Sequence, residues 1–186
     1  MWRLIGITLP QYEDWREEKQ KIISLLQTNK VEYFHIRKPE FDFKQISLWL
    51  EDLPLTIRKR LCLHDCTELA KEFQIGGVHL NNRNNYEIPS NFIGRISCSC
   101  HSFSELEKWK AKCDYVFLSP IYDSISKENY KSRFTKSELK KAAEKGIIDQ
   151  NVFALSGVEP KNFSELKEIG FGGAAIMGSI WQNNEI

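Results

Sequence analysis

Histidine, cationic and small hydroxyl residues recur in this chain at one kind of place, the end of a short apolar run. Tyr33–Ile36 leads into His35, Arg37 and Lys38, and Arg60–His64 ends on His64 with Asp65 next. After Gly77–Leu80 come Asn81, Asn82 and Asn84; Arg95–Ser99 ends on Ser99 and leads to His101. Tyr115–Leu118 passes through Ser119-Pro120 into a polar loop holding Asp123, Ser124, Ser126 and Lys127. Val152–Leu155 is followed by Ser156-Gly157, and Gly173–Met177 by Gly178-Ser179. Hydroxyls, an ammonium and glycine-rich turns that expose backbone N–H groups are the donors an anion such as phosphate or diphosphate needs. Loops are polar, so one such residue after one strand means little. A cation or histidine after four strands is less easily dismissed.

The elements that must carry these residues are short. Leu4–Leu9 reads as a first strand stopped by Pro10. Asp14 caps a helix to about Thr28, with Trp15, Ile22, Ile23, Leu25 and Leu26 towards a core. Helices follow over Asp42–Glu51 (apolar side Phe43, Ile46, Leu48, Trp49 and Leu50) and Thr67–Phe73, whereas the asparagine-rich Asn81–Asn91 predicts little regular helix. Ser102 opens a helix to about Lys110, with Glu105 completing a capping box. Lys136–Lys145 and Asn162–Ile169 are helices stopped by Gly146 and Gly170, and a last helix barely begins at Ile180.

Eight apolar strands alternating with helices imply a parallel sheet, and eight suggests closure. The expectation is a single α/β domain over residues 1–186: a (βα)₈ TIM barrel with short loops and a truncated or stub last helix. In that architecture the functional face is built after the C-terminal ends of the strands, which is where the polar residues fall. The net charge of +1 gives no argument for nucleic acid or an anionic membrane surface. No apolar run approaches the roughly 20 residues that span a bilayer, and no signal peptide opens the chain. Five cysteines, an odd number, fit reduced thiols in a cytoplasm better than a disulfide framework.

The order of motifs resembles the thiamine phosphate synthase superfamily, which also contains the thiazole tautomerases. The resemblance is carried by F-H-I-R-K (34–38), H-D-C-T-E-L-A (64–70), G-G-V-H-L (76–80), S-C-S-C-H-S (97–102), D-Y-V-F-L-S-P-I-Y-D-S-I-S-K (114–127), A-L-S-G-V (154–158) and G-A-A-I-M-G-S-I (173–180). It implies a cytoplasmic barrel enzyme of thiamine biosynthesis. The enzyme would join a hydroxymethylpyrimidine diphosphate to a thiazole phosphate and expel diphosphate with Mg²⁺. It further implies that Arg37, Lys38 and Lys127 face the diphosphate, with His35 and His64 beside them. Ser124, Ile125, Ser126, Gly157, Met177, Gly178 and Ser179 would hold the thiazole phosphate, Ser99 would line the pyrimidine site, and Asp65 and Asn84 would be the metal positions. Small-molecule substrates are the partners implied, and a homodimer is compatible with them.

Five positions depart from the synthase pattern. His35 stands for a glutamine, Lys38-Pro39 for a glutamate-lysine pair, His64 for an asparagine, and Asn84 for the second metal-binding aspartate. F-H-I-R is closer to the tautomerase branch, in which the histidine at the position of His101 moves protons. A metal-independent tautomerase using His101 is therefore the second reading, and a non-catalytic binder of thiamine-pathway phosphates the third. His79, inside its strand, reads as a packed, hydrogen-bonded histidine. Cys62-x-His64-x-Cys66 and Cys98-x-Cys100-His101 make poor tetrahedral zinc sites, because strand alternation puts Cys66 beyond the face shared by Cys62 and His64.

Overall fold

The computed structural model describes residues 2–123 and 131–182. Eight strands close in sequence order into a parallel barrel: β1 (Arg3–Ile7), β2 (Tyr33–Ile36), β3 (Leu61–Leu63), β4 (Gly77–Leu80), β5 (Arg95–Cys100), β6 (Tyr115–Leu118), β7 (Val152–Leu155) and β8 (Gly173–Ile176). The helices are α1 (Trp15–Gln27), α2 (Phe43–Leu50), α3 (Leu55–Arg58), α4 (Leu69–Glu72), α5 (Phe103–Lys110), α6 (Lys136–Glu144), α7 (Phe163–Ile169) and α8 (Gly178–Gln182). Contacts group the chain into two compact units, Gly6–Ile96 and Met1–Ile5 with Ser97–Ile186. Among the described residues, no helix is long and apolar enough to cross a membrane.

In the unit Gly6–Ile96, Asp14 caps α1 by accepting from the N–H groups of Arg16 and Glu17. The buried stripe of α1 is Glu18, Ile22 and Leu26, spaced by four as one helix face requires. Glu18 thus occupies a core position where the sequence had suggested only apolar residues; Trp15, Ile23 and Leu25 stay partly exposed. In α2 the buried residues are Ile46, Trp49 and Leu50, while Phe43 and Leu48 lie off that stripe at 52% and 45% exposure. The four-residue α3, opened by Pro54, is too short to leave a periodic signal.

Register places the first unit's histidines. His35 pairs with Cys62, Cys62 with Gly77, and Leu63 with Val78. Continuing one step sets His64 beside His79. Because side chains alternate along a strand, His35, Cys62, His64 and His79 share one face of the sheet. The rings of His35 and His79 lie 5.3 Å apart although β2 and β4 are not neighbours, so this is the concave face.

In the other unit β6 is buried throughout. Ser102 caps α5, but Glu105 reaches past it to the backbone N–H of His101, so the expected reciprocal box is displaced by one residue. Thr135 and Glu138 form a full capping box on α6. Gly146 and Gly170 end their helices in the left-handed region, at φ +71° and +114°. The last helix starts at Gly178, earlier than the sequence suggested, because Ile180 and Trp181 already donate to the Met177 carbonyl.

Candidate active site

At the ends of β2, β3 and β4 three imidazoles meet. His35 Nδ1 lies 2.8 Å from His64 Nε2, and the His64 and His79 rings stack at 4.1 Å and 17°. All three side chains are buried. Burial is the main reason each ring stays neutral, and it holds His35 and His64 well below the ordinary histidine range and His79 down to about 3. The asparagine-rich loop fastens two of them. The side-chain N–H groups of Asn81 donate to the carbonyls of His64 (2.9 Å) and His79 (3.1 Å), and those of Asn84 donate to the same two.

Arg37 sits just past His35, its backbone exchanging hydrogen bonds with Thr8 Oγ1 at 2.8 and 3.2 Å. Its guanidinium is half-buried, and desolvation followed by the charge of Arg83 lowers its pKa against the opposing pull of Asp65. Asp65 itself is gripped by Arg83, with Nε 2.6 Å from Oδ1 and Nη2 3.3 Å from Oδ2. Arg83 carried no signal in the sequence beyond lying in a polar loop. Lys38 turns elsewhere: its Nζ donates to Glu18 Oε1 at 2.6 Å and to the Leu9 carbonyl at 3.0 Å, with both charged side chains fully buried. Trp49 Nε1 donates to the other Glu18 oxygen at 3.0 Å.

These residues meet Mg²⁺ poorly. The ion favours anionic oxygens in an octahedron. Asp65 already shares both oxygens with Arg83, and Asn84 Oδ1 accepts from the N–H groups of Asn81 and Tyr86. Asn84 can offer no oxygen without opening its turn, so this pair of positions does not reproduce a two-carboxylate metal site.

In the second unit His101 follows β5 and is exposed, whereas Ser99 is half-buried within the strand. His101 Nδ1 lies 3.0 Å from the Ser119 carbonyl. A carbonyl only accepts, so Nδ1 is the nitrogen that carries a proton there, and in the neutral ring Nε2 is left with the lone pair. Ser156 and Gly157 turn the chain after β7 at φ +79° and +64°. A Cβ on Gly157 would stand 2.3 Å from the Asp123 carbonyl, so only glycine fits. Tyr122 N–H donates to the Ser156 carbonyl, and Ser179 Oγ lies 3.5 Å from the Val158 carbonyl. The two small-residue turns after β7 and β8 are therefore neighbours, with Met177 and Gly178 leading into the second. Asp123 and Gly157 also line a cavity of about 510 Å³. On its wall Tyr122 donates to Glu165 at 2.9 Å and Lys136 pairs with Glu165 at 2.7 Å, contacts no motif announced. Ser124, Ile125, Ser126 and Lys127 lie outside the described residues.

A sequence profile described as thiamine monophosphate synthase matches residues 4–180. The thiamine-phosphate synthase of Anoxybacillus flavithermus is 30% identical over 132 residues, 67% of this chain and 58% of its own. That of Latilactobacillus sakei is 27% identical over 130 residues, 67% of this chain and 57% of its own. The match thus spans rather more than half the length of these curated relatives. Among solved structures, a thiamine phosphate pyrophosphorylase from Bacteroides thetaiotaomicron superposes with a TM-score of 0.82 at 37% identity, covering 96% of this chain and 84% of that one. The closed eight-stranded barrel, the polar groups at its strand ends and a match running from the first strand to the last helix agree: the chain belongs to the thiamine monophosphate synthase family.

Proposed function

We propose that the protein is a thiamine-phosphate synthase, a transferase that couples a hydroxymethylpyrimidine diphosphate to a thiazole phosphate and releases diphosphate, working in cytoplasmic thiamine biosynthesis. The observation that carries this reading is Arg37, whose backbone Thr8 fixes at the end of β2 and whose guanidinium is half-buried, in a chain matched to the family from residue 4 to residue 180. A desolvated, positioned cation stabilises the charge that develops on a departing diphosphate. Lys127 is assigned the same task from the loop after β6. Ser124, Ile125 and Ser126, with Gly157 and the Met177-Gly178-Ser179 turn, would receive the thiazole phosphate, for which Gly157 allows close backbone approach. Ser99 would border the pyrimidine. His35 and His64, hydrogen-bonded to each other, would border the substrate beside Arg37.

Enzymes of this family generally use Mg²⁺, which would neutralise diphosphate oxygens. Asp65 is the carboxylate it would meet here, and Asn84 marks the second position. Arg83 and the asparagine turn already occupy these atoms. A homodimer is compatible with the same reading.

One observation favours the tautomerase alternative. His101 is exposed, and its Ser119 contact leaves Nε2 as the basic nitrogen, the arrangement a proton-moving isomerase needs. The purified protein should be given both substrates with and without Mg²⁺, following diphosphate and thiamine phosphate. Formation of both supports the transferase. Thiazole isomerisation without diphosphate release would replace it with the tautomerase, and binding of thiazole phosphate with neither turnover would leave a non-catalytic binder.

A further inference from the structure

We propose that His35, His64 and His79 form a binding site for a borderline divalent transition-metal ion of the Zn²⁺ class, each residue giving one ring nitrogen. The three come from consecutive strands, on one concave face, and one ring nitrogen from each lies within 4.8 Å of the others. A tetrahedral ion bound at about 2.0–2.1 Å needs its nitrogens about 3.3–3.4 Å apart, so each ring must shift by about 1 Å or less. The 2.8 Å contact between His35 and His64 opens slightly and the wider pairs close.

The donor set selects the ion. Three imidazoles suit Zn²⁺, Co²⁺ or Ni²⁺ and not Mg²⁺, which takes oxygen. Metal-binding histidine must be unprotonated, and burial already holds all three neutral. Such ligands work when their frames are fixed. Asn81 and Asn84 pin the carbonyls of both His64 and His79. Three protein ligands leave a fourth position open, the pattern of catalytic rather than structural zinc. Arg37 and Arg83 lie close enough to oppose protonation of His64, and Arg95 does the same for His35; Asp65 offsets Arg83. This excess of positive charge favours an anion, hydroxide or a phosphate oxygen, as the fourth ligand. His64 is the most exposed of the three residues, at 5%. The site requires no step of the transferase reaction.

The test is Co²⁺ titration of the chelator-stripped, full-length protein without substrate, followed by its visible d–d absorption, with Zn²⁺ competition and metal content per chain. One ion per chain with a tetrahedral spectrum, displaced by Zn²⁺, is expected. His35→Gln, His64→Asn and His79→Gln should each weaken binding by at least about 100-fold, since even outer-shell partners of metal ligands are worth about 10–100-fold. Circular dichroism and thermal unfolding without metal show whether each variant folds. In the wild type alone, Zn²⁺ should raise the unfolding temperature. Asp65→Asn and Cys62→Ser should leave Co²⁺ binding within a few-fold. Absence of stoichiometric binding, an octahedral spectrum, a thiolate charge-transfer band, or loss on Asp65→Asn with the histidine variants unaffected would each overturn the site. A missing metal site would leave diphosphate release untouched, and a missing transferase activity would leave Co²⁺ binding untouched, so the two failures are distinct.

Discussion

Lys38 Nζ stands 2.6 Å from Glu18 Oε1 with neither side chain reaching solvent, a buried ion pair between the end of β2 and the first turn of α1. Burial raises the Glu18 pKa and lowers that of Lys38, and for both it outweighs the partner's attraction. Desolvation therefore dominates, and the pair adds little net stability. Removing one member strands the other. Lys38→Met should cost about 3–5 kcal/mol in denaturant unfolding. Glu18→Gln with Lys38→Met keeps an acceptor for Trp49 and should recover most of that loss. If the double variant is as unstable as the single one, the pair is not the unit. A raised KM for the pyrimidine diphosphate in the stable double variant would return Lys38 to the substrate.

Asn84→Asp keeps the acceptor for the N–H groups of Asn81 and Tyr86 but loses both donations to the His64 and His79 carbonyls. Asn81 still donates to both carbonyls, so the cost is two lost hydrogen bonds and a new carboxylate facing those carbonyls, which should lower stability by about 1–3 kcal/mol. Millimolar Mg²⁺ should then restore part of the unfolding temperature. If it restores none, position 84 is no part of a Mg²⁺ site.

His101→Asn separates the two enzymatic readings. Loss of a general base costs about 10²–10⁴ in rate. Isomerisation should fall by that amount if His101 is the base, while coupling should fall only a few-fold. Equal loss in both assays would instead mean that breaking the Ser119 contact disturbs the β5 and β6 ends together.

Stability should fall on acidification through the three buried histidines. Their folded pKa values are depressed below the unfolded value of about 6.5, so the unfolded chain takes up protons the folded one refuses. Their contribution is complete above about pH 6.5 and is lost progressively towards about 3, the value for His79. Arg37, Arg83 and Arg95 add to the refusal, and Asp65 moderates Arg83. In chelator, the wild type should lose more stability between pH 6.5 and 4 than His79→Gln. Parallel curves would mean that carboxylates elsewhere carry the acid sensitivity.

Gly157→Ala tests the turn after β7. A φ of +64° and a 2.3 Å approach to the Asp123 carbonyl leave no room for a Cβ. Thiazole phosphate affinity should drop at least about tenfold, with a loss of at least about 1 kcal/mol in stability from the positive φ. Unchanged affinity would move the phosphate elsewhere.

The sequence by itself determined the eight strands and most of their helices. Apolar runs, Asp14, Ser102 and the glycines at 146 and 170 act within a few residues, where local chemistry decides. It also determined which polar residues stand at strand ends, and so the family. What only the tertiary structure decided was which of them meet. His79 reads alone as packed. Register across β2, β3 and β4 brings it to His64 and His35, residues 15 and 44 positions earlier in the chain. Glu18 carries no signal of its own in the sequence, and only its contact with Lys38, 20 residues on, shows why it is buried. Asn84 reads as a weakened metal ligand until its amide is found binding two histidine carbonyls. Each of these depends on pairs distant in sequence, whose energy comes from desolvation and hydrogen-bond closure that no single stretch can express.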